Sequence, residues 1–152
     1  MRNALPPAIA LIIAILSIPA PAAESATSAD ALISRGEAQL AEQDIDGAIA
    51  TLTRAVAAAP DSAQAHTRLG GAYLLGQRYT DAIEQFQQAI GIDAGSAGAF
   101  IGLGMAYLHG GQSGPAKAAF TEAKRLAPDK AADLDKVING IDEGSSAPPP
   151  AH

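Results

Sequence analysis

Cysteine and tryptophan are absent from this chain of 152 residues, and aromatic residues make up only 4% of it. Without cysteine the chain can have no disulfide, no thiol nucleophile and no thiolate metal ligand. Because large aromatic side chains are scarce, a core must form by close approach of elements that carry small residues. Alanine supplies much of the 48% hydrophobic content and is the strongest helix former, so the composition favours an all-α protein.

Basic residues are also scarce, since 10 Lys and Arg face 16 Asp and Glu, which gives a net charge of −6. A protein that binds nucleic acid needs a basic surface to neutralise phosphates. Docking on anionic lipid also requires a basic protein surface. The charge therefore predicts that the chain has no nucleic-acid partner.

The segment 1–23 has the composition of a secretory signal peptide. A charged start with Arg2 is followed by the apolar run Ala8–Ile18 and by small residues up to Ala22 and Ala23, where cleavage is expected. This order predicts export, with the periplasm of a Gram-negative bacterium as the expected location. The alternative is an uncut anchor in the inner membrane, although the run is shorter than the roughly 20 residues that span a bilayer.

Several residue types recur at an interval of 34 residues. The recurring sets are Gly36, Gly70 and Gly104; Ala48, Ala82 and Ala116; and Leu52, Phe86 and Phe120. Apolar spacing of three and four residues in each half of a copy predicts two helices per copy. Ser62, Thr80, Ser96 and Ser113 stand where helix N-caps are expected.

The third copy carries the most complete motif, and it resembles the tetratricopeptide repeat family. Its matching residues are Phe100, Leu103, Gly104, Tyr107, Ala116, Phe120 and Pro128. The second copy departs from the family pattern at His66 and Ala94, and the first departs at Arg35 and Gln39. The resemblance implies an all-α, right-handed α-solenoid of three 34-residue helix-turn-helix repeats, followed by a C-terminal capping helix.

The predicted organisation follows the period. It consists of a signal peptide (1–23), a loose linker (24–28), three repeats (29–62, 63–96 and 97–130), an amphipathic capping helix (131–143) and a disordered tail (144–152). The capping helix has its apolar residues on one face, so it should cover the last repeat, since terminal repeats need a polar outer face. The alternative for this helix is partner binding.

No arrangement of residues predicts catalysis, and neither a cofactor nor a metal ion is expected. The adjacent glycines Gly70 and Gly71 lie inside a predicted helix, whereas a phosphate-binding loop joins a strand to a helix. His66 falls on the packing face of its helix and is expected to be structural. His109 stands at a helix end, where it can interact with free carbonyls. The chain is therefore predicted not to be an enzyme.

The resemblance implies a partner-binding groove on the concave side, lined by the first helix of each repeat. The groove residues are Ile33, Glu37 and Leu40 in the first copy; Gln64, Thr67, Gly71 and Leu74, with Leu75, in the second; and Ile101, Met105, Leu108 and His109 in the third. Asp30, Ala41 and Gly98 extend the same stripe. The clamp of Lys, Arg and Asn with which some family members hold peptide carboxylates is missing from these positions.

The chemistry of this groove predicts a protein or peptide partner, such as an amphipathic helix or an apolar segment. No small-molecule substrate is expected, and contact with a membrane is expected only if the N-terminal segment stays uncut. Two alternatives remain open for function: the groove binds an apolar small molecule or lipid, or the chain is a structural module whose copies stack end to end. A third possibility is that the chain's own capping helix or N-terminal segment fills the groove.

Overall fold

The computed structural model describes the backbone of residues 21–145 and the side chains of residues 28–143. The described residues form seven α-helices and one 3₁₀ turn, with no strand among them, which confirms the all-α prediction. The helices are α1 (Pro21–Ala41), α2 (Ile45–Ala58), α3 (Ala63–Leu75), α4 (Tyr79–Ile92), α5 (Ala97–His109), α6 (Ser113–Leu126) and α7 (Ala131–Ser145), with the 3₁₀ turn at Pro128–Lys130.

Consecutive helices pack as antiparallel hairpins, one for each predicted repeat: α1 with α2, α3 with α4, and α5 with α6. Each hairpin then packs its second helix against the first helix of the next. The connection inside a hairpin turns through a residue of positive φ at the same repeat position, namely Gln43 (64°), Gln77 (58°) and Gly111 (77°). The repeat is therefore preserved in the backbone of the turn as well as in the helices.

The predicted caps are confirmed at two of four helices. The prediction for Thr80 is wrong, because α4 begins at Tyr79 and its cap is Arg78. The hydroxyl of Ser62 accepts a hydrogen bond from Ala65 N at 3.2 Å, and that of Ser96 accepts one from Ala99 N at 3.3 Å. The prediction for Ser113 is wrong, because α6 begins at Ser113 and its cap is Gln112, which makes no side-chain cap hydrogen bond. The turn between α5 and α6 is closed by the hydrogen bond from Gln112 N to Tyr107 O, at 2.8 Å. The cap therefore lies at residue 112 and not at the predicted residue 113.

The recurring glycines hold the two helices of a hairpin close together. A Cβ atom built at Gly36 would lie 2.5 Å from Leu52 Cγ, and one built at Gly104 would lie 2.7 Å from Phe120 Cε1. Leu52 and Phe120 are the largest fully buried side chains among the described residues. Each large residue of the second helix therefore fills space that a glycine leaves on the first, as the shared period of the two sets predicts.

The two ends of the solenoid carry charges where its interior carries apolar residues. Arg35 is exposed in α1, whereas Leu69 and Leu103, one and two periods later, are buried. At the other end, Lys117 and Lys124 of α6 stand where α4 has Ile83 and Ile90, which pack on the next hairpin. These substitutions remove the apolar contacts that a further hairpin would need.

The capping helix α7 covers the lysine-bearing end of the stack. Leu134 and Ile141 are buried in a cluster with Phe120, and the two lysines are paired with carboxylates of α7. Lys117 Nζ lies 2.7 Å from Asp142 Oδ2, and Lys124 Nζ lies 2.5 Å from Asp135 Oδ1. The helix therefore docks on α6, as predicted, through an apolar centre bordered by ion pairs.

Two segment boundaries differ from those predicted. Residues 24–28, expected as a loose linker, belong to α1, because the alanine-rich sequence after Pro21 favours helix and proline is well tolerated in a first helical turn. The helix α7 runs two residues into the predicted tail and ends at Ser145. Residues 1–20 and 146–152 lie outside the described residues, so the predictions for the rest of the signal peptide and the tail stay predictions.

Candidate functional site

The first helices of the hairpins form the inner layer of the stack. The helix α3 contacts both α1 and α5, whereas among the described residues the second helices α2, α4 and α6 make no contacts with one another. Elements that touch lie on the shorter arc of a curved stack, and elements that are splayed apart lie on the longer arc. The concave side is therefore lined by α1, α3 and α5, and we call this surface the groove.

Most of the predicted groove residues retain some accessible surface. Gln64 and Met105 are exposed, and the half-buried members are Glu37, Leu40, Thr67, Gly71, Leu74, Ile101 and Leu108. The prediction is wrong for Ile33, which is only 3% exposed and belongs to the core with Leu52 and Leu69. Because α3 lies directly against α1, the side chain of Ile33 is enclosed between helices and cannot contact a partner.

The apolar part of the groove lies toward the C-terminal ends of the first helices. Leu75 is 60% exposed and Met105 is 40% exposed, two of the most exposed large hydrophobic residues that the structure describes. A Cβ atom built at Gly71 would meet nothing within 4 Å, so Gly71 leaves open space beside them. Leu74 and Leu108 are half-buried and support this surface from the core clusters beneath it.

The polar part of the groove consists of Glu37 on α1, the first half of α3 and the loop that precedes α5. Arg68 Nε of α3 lies 2.5 Å from Glu37 Oε1 of α1, so an ion pair bridges the two inner helices. A cavity of about 240 Å³ opens beside this pair and is lined by Ala63, Gln64, Thr67, Arg68, Asp93 and Ser96. The bridge was not predicted, because Glu37 and Arg68 are 31 residues apart and come together only when α1 packs on α3.

His66 and His109 both contact residues of other segments of the chain. His66 is 7% exposed, and its Nδ1 and Nε2 lie 2.9 Å from Gln85 Oε1 and 3.0 Å from Pro60 O. Both ring nitrogens are thus engaged, which agrees with the structural role predicted. His109 is exposed at the end of α5 and stacks on Tyr79 at a ring-centroid distance of 5.8 Å.

A larger cavity of about 510 Å³ lies on the other side of the molecule, where α6 meets α7. Its charged residues pair with one another or with α7: Arg125 Nη2 lies 2.6 Å from Glu122 Oε1, and Lys124 is paired with Asp135. The hydrogen bond from Arg125 holds the pKa of the exposed Glu122 carboxyl below its usual range. These pairs leave the cavity without a charged group directed at a ligand.

The capping helix lies at one end of the groove. Within residues 21–145, its backbone lies close to α6 and the 3₁₀ turn and not to α1 or α3. Its residues Leu134 and Ile141 share a core cluster with Ile101 and Leu108 of α5. The part of the chain that the structure describes has no group of three or more His, Asp or Glu side chains suited to a metal ion. In the same part no helix is long and apolar enough to cross a membrane.

Hairpins of this length, stacked with their first helices inside, define an α-solenoid of helical repeats. Profiles described as tetratricopeptide repeat match residues 33–97 and 97–130, together more than half of the chain. The chain therefore belongs to the tetratricopeptide repeat family, as its motif predicts. Comparison with curated protein sequences finds no match.

Solved tetratricopeptide repeat domains have the same fold. The second such domain of human RPAP3, in complex with the HSP70 peptide SGPTIEEVD, is 27% identical with a TM-score of 0.71, covering 80% of this chain and 98% of that one. The first domain of Spaghetti (RPAP3), bound to the HSP90 peptide SRMEEVD, is 18% identical with a TM-score of 0.76 and coverages of 80% and 96%. MamA is 25% identical with a TM-score of 0.72 and coverages of 77% and 68%.

Proposed function

We propose that this chain is a non-catalytic interaction module that binds a peptide or helix of a partner protein in the groove. The observation that carries the proposal is the open apolar surface formed by Leu75, Met105 and Gly71. Exposed apolar side chains on a concave surface are typical of protein-binding sites. The RPAP3 domain that is 27% identical binds its peptide with the same fold, which supports a peptide as the class of ligand.

Two features weigh against the alternatives. The cavity of about 240 Å³ in the groove is smaller than the roughly 300–1,000 Å³ of typical small-molecule sites, and five of its six lining residues are polar or charged. End-to-end stacking of copies would bury Arg35 at one end of the solenoid, where its interior equivalents are leucines. Burial of an unpaired charge is unfavourable, so Arg35 opposes this mode of self-association.

The proposed setting is the cell envelope, with the periplasm of a Gram-negative bacterium as the location. The support for it is the charged start, short apolar run and small residues of segment 1–23. Sequencing the N-terminus of the protein purified from its native host tests this setting. A chain that starts at Ala23 or Glu24 supports export, and a chain that keeps Arg2 contradicts cleavage.

A peptide selection tests the binding site. The full chain is used to select from a displayed library of random 16-residue peptides, in parallel with the variant Leu75→Gln/Met105→Gln and the control Ile92→Gln. Glutamine keeps helix propensity and adds no charge, and Ile92 is 43% exposed on α4, outside the groove.

We expect peptides selected on the native chain to bind the groove variant about tenfold or more weakly, because two apolar contacts are lost. The control should bind them unchanged. Equal affinity for all three proteins would show that the groove is not the binding site.

A further inference from the structure

We infer that the segment bound in the groove is amphipathic and basic, with apolar anchors on one face and Lys or Arg on the other. The inference rests on the groove function proposed above and specifies the chemistry of its ligand. It also reverses the charge of the peptides SRMEEVD and SGPTIEEVD, which are bound by the similar domains.

Carboxylates outnumber basic groups at the polar part of the groove. Asp30 and Glu37 belong to α1, and Asp93 borders the cavity that Arg68 lines. The third inner helix, α5, contains no Asp, Glu, Lys or Arg. The groove therefore carries three carboxylates and one guanidinium, and the chain as a whole is acidic at −6.

Arg68 is already paired with Glu37, whose negative charge offsets the attraction of Arg68 for an acidic ligand. Its Nε lies 2.5 Å from Glu37 Oε1, and the two side chains are 47% and 42% exposed. A ligand carboxylate that bonded to the remaining N–H groups of Arg68 would also lie close to Glu37, which pairs with the same guanidinium. An ammonium or guanidinium group, in contrast, can approach Glu37 and Asp93 without breaking the ion pair.

The groove combines apolar and acidic surface, which is why the ligand should be amphipathic. Leu75 is the last residue of α3, whereas Gln64 and Arg68 lie in its first half. Glu37 stands at the repeat position of Gly71 and Met105, so a ligand that crosses the inner helices meets a carboxylate next to apolar surface. The long aliphatic stems of Lys and Arg suit this border, since they cover apolar surface while their charged ends reach the acids.

The test analyses the charge of the peptides selected on the native chain and the effect of neutralising groove carboxylates. The variant Glu37→Gln/Asp93→Asn removes two negative charges at the groove. Asparagine at residue 93 keeps an oxygen that can accept the hydrogen bond from Gly95 N, now 2.9 Å long. The matched control Asp46→Asn/Glu84→Gln removes the same charge from exposed positions on α2 and α4.

We expect the selected peptides to contain more Lys and Arg than Asp and Glu. A synthetic copy of an enriched peptide should bind the groove variant about three- to tenfold more weakly in low salt, and the control within twofold. The difference should shrink at 1 M salt, where the screening length falls to about 3 Å.

Two outcomes overturn the inference, and they are distinguishable from failure of the proposed function. If the selected peptides need Leu75 and Met105 but are acidic or neutral, the groove binds peptides and the inferred charge is wrong. If the variant Glu37→Gln/Asp93→Asn and its matched control lose the same affinity for the peptide, the effect comes from the overall charge and not from the groove. Loss of dependence on Leu75 and Met105 would overturn the groove function itself.

Discussion

The adjacent glycines Gly70 and Gly71 should respond differently to the same substitution. Both lie within α3, so replacing either with alanine gains about 1 kcal/mol of helix propensity. A Cβ atom at Gly71 would meet nothing within 4 Å. A Cβ atom at Gly70 would lie 3.0 Å from Phe86 Cε1 and 3.1 Å from two other atoms of the ring.

The ring of Phe86 has little room to move away from Gly70. It is 2% exposed, and a Cβ atom built at Gly102 of α5 would also press on it. Overpacking of this kind destabilises by about 1–3 kcal/mol. We therefore expect Gly71→Ala to raise the free energy of unfolding by about 1 kcal/mol, and Gly70→Ala to leave it unchanged or lower it by up to about 2 kcal/mol.

Urea denaturation followed by circular dichroism at 222 nm measures both changes. The larger variant Gly70→Leu should lose most of its helical signal at room temperature, because no shift of one ring makes space for it. Adding Phe86→Leu to Gly70→Ala should restore part of the lost stability, since the smaller side chain relieves the contact. If Gly70→Ala stabilises the protein as much as Gly71→Ala does, the assignment of the two glycines to opposite faces is wrong.

Three further substitutions test local features of the fold. Gln77→Gly should raise the free energy of unfolding by about 0.5–1 kcal/mol in urea denaturation, because Gln77 has a φ of 58° that glycine adopts without strain; a decrease would contradict this. Ser62→Ala should lower it by about 1 kcal/mol through loss of the cap on Ala65 N, whereas Ser62→Asp should not; equal loss in both would contradict the capping role. His66→Ala should lower it by about 1–3 kcal/mol in calorimetry by leaving buried partners unpaired, and an unchanged melting temperature would count against the structural role of this histidine.

The fold could be predicted from the sequence because the 34-residue period reflects how the two helices of each hairpin pack together. Gly70 and Phe86 lie 16 residues apart, and so do Gly36 and Leu52, so the glycine and the side chain that fills its space repeat together. Gly102 has no counterpart in the other copies. Its contact with Phe86 crosses from one hairpin to the next and could not be recognised from the period.

The groove was only partly predictable. Helical spacing places Gly71 and Met105 on the open stripe, and their accessibility agrees with this. The same spacing places Ile33 there, but burial depends on how closely the next helix packs, and α3 encloses that side chain. The Arg68–Glu37 pair was missed for the same reason, because the contact between α1 and α3 is tertiary.

The central claim, that the groove is the binding surface, is tested most directly by photo-cross-linking in the native host. A photoreactive residue is placed at Met105 in one strain and at Ile92 in another, and cross-linked peptides are identified by mass spectrometry. The two positions are similarly exposed, at 40% and 43%, so chance encounters should label them equally. We expect a discrete cross-link to one segment of a partner protein from residue 105 and none from residue 92. Equal labelling at both positions, or a discrete product only from residue 92, would contradict the claim.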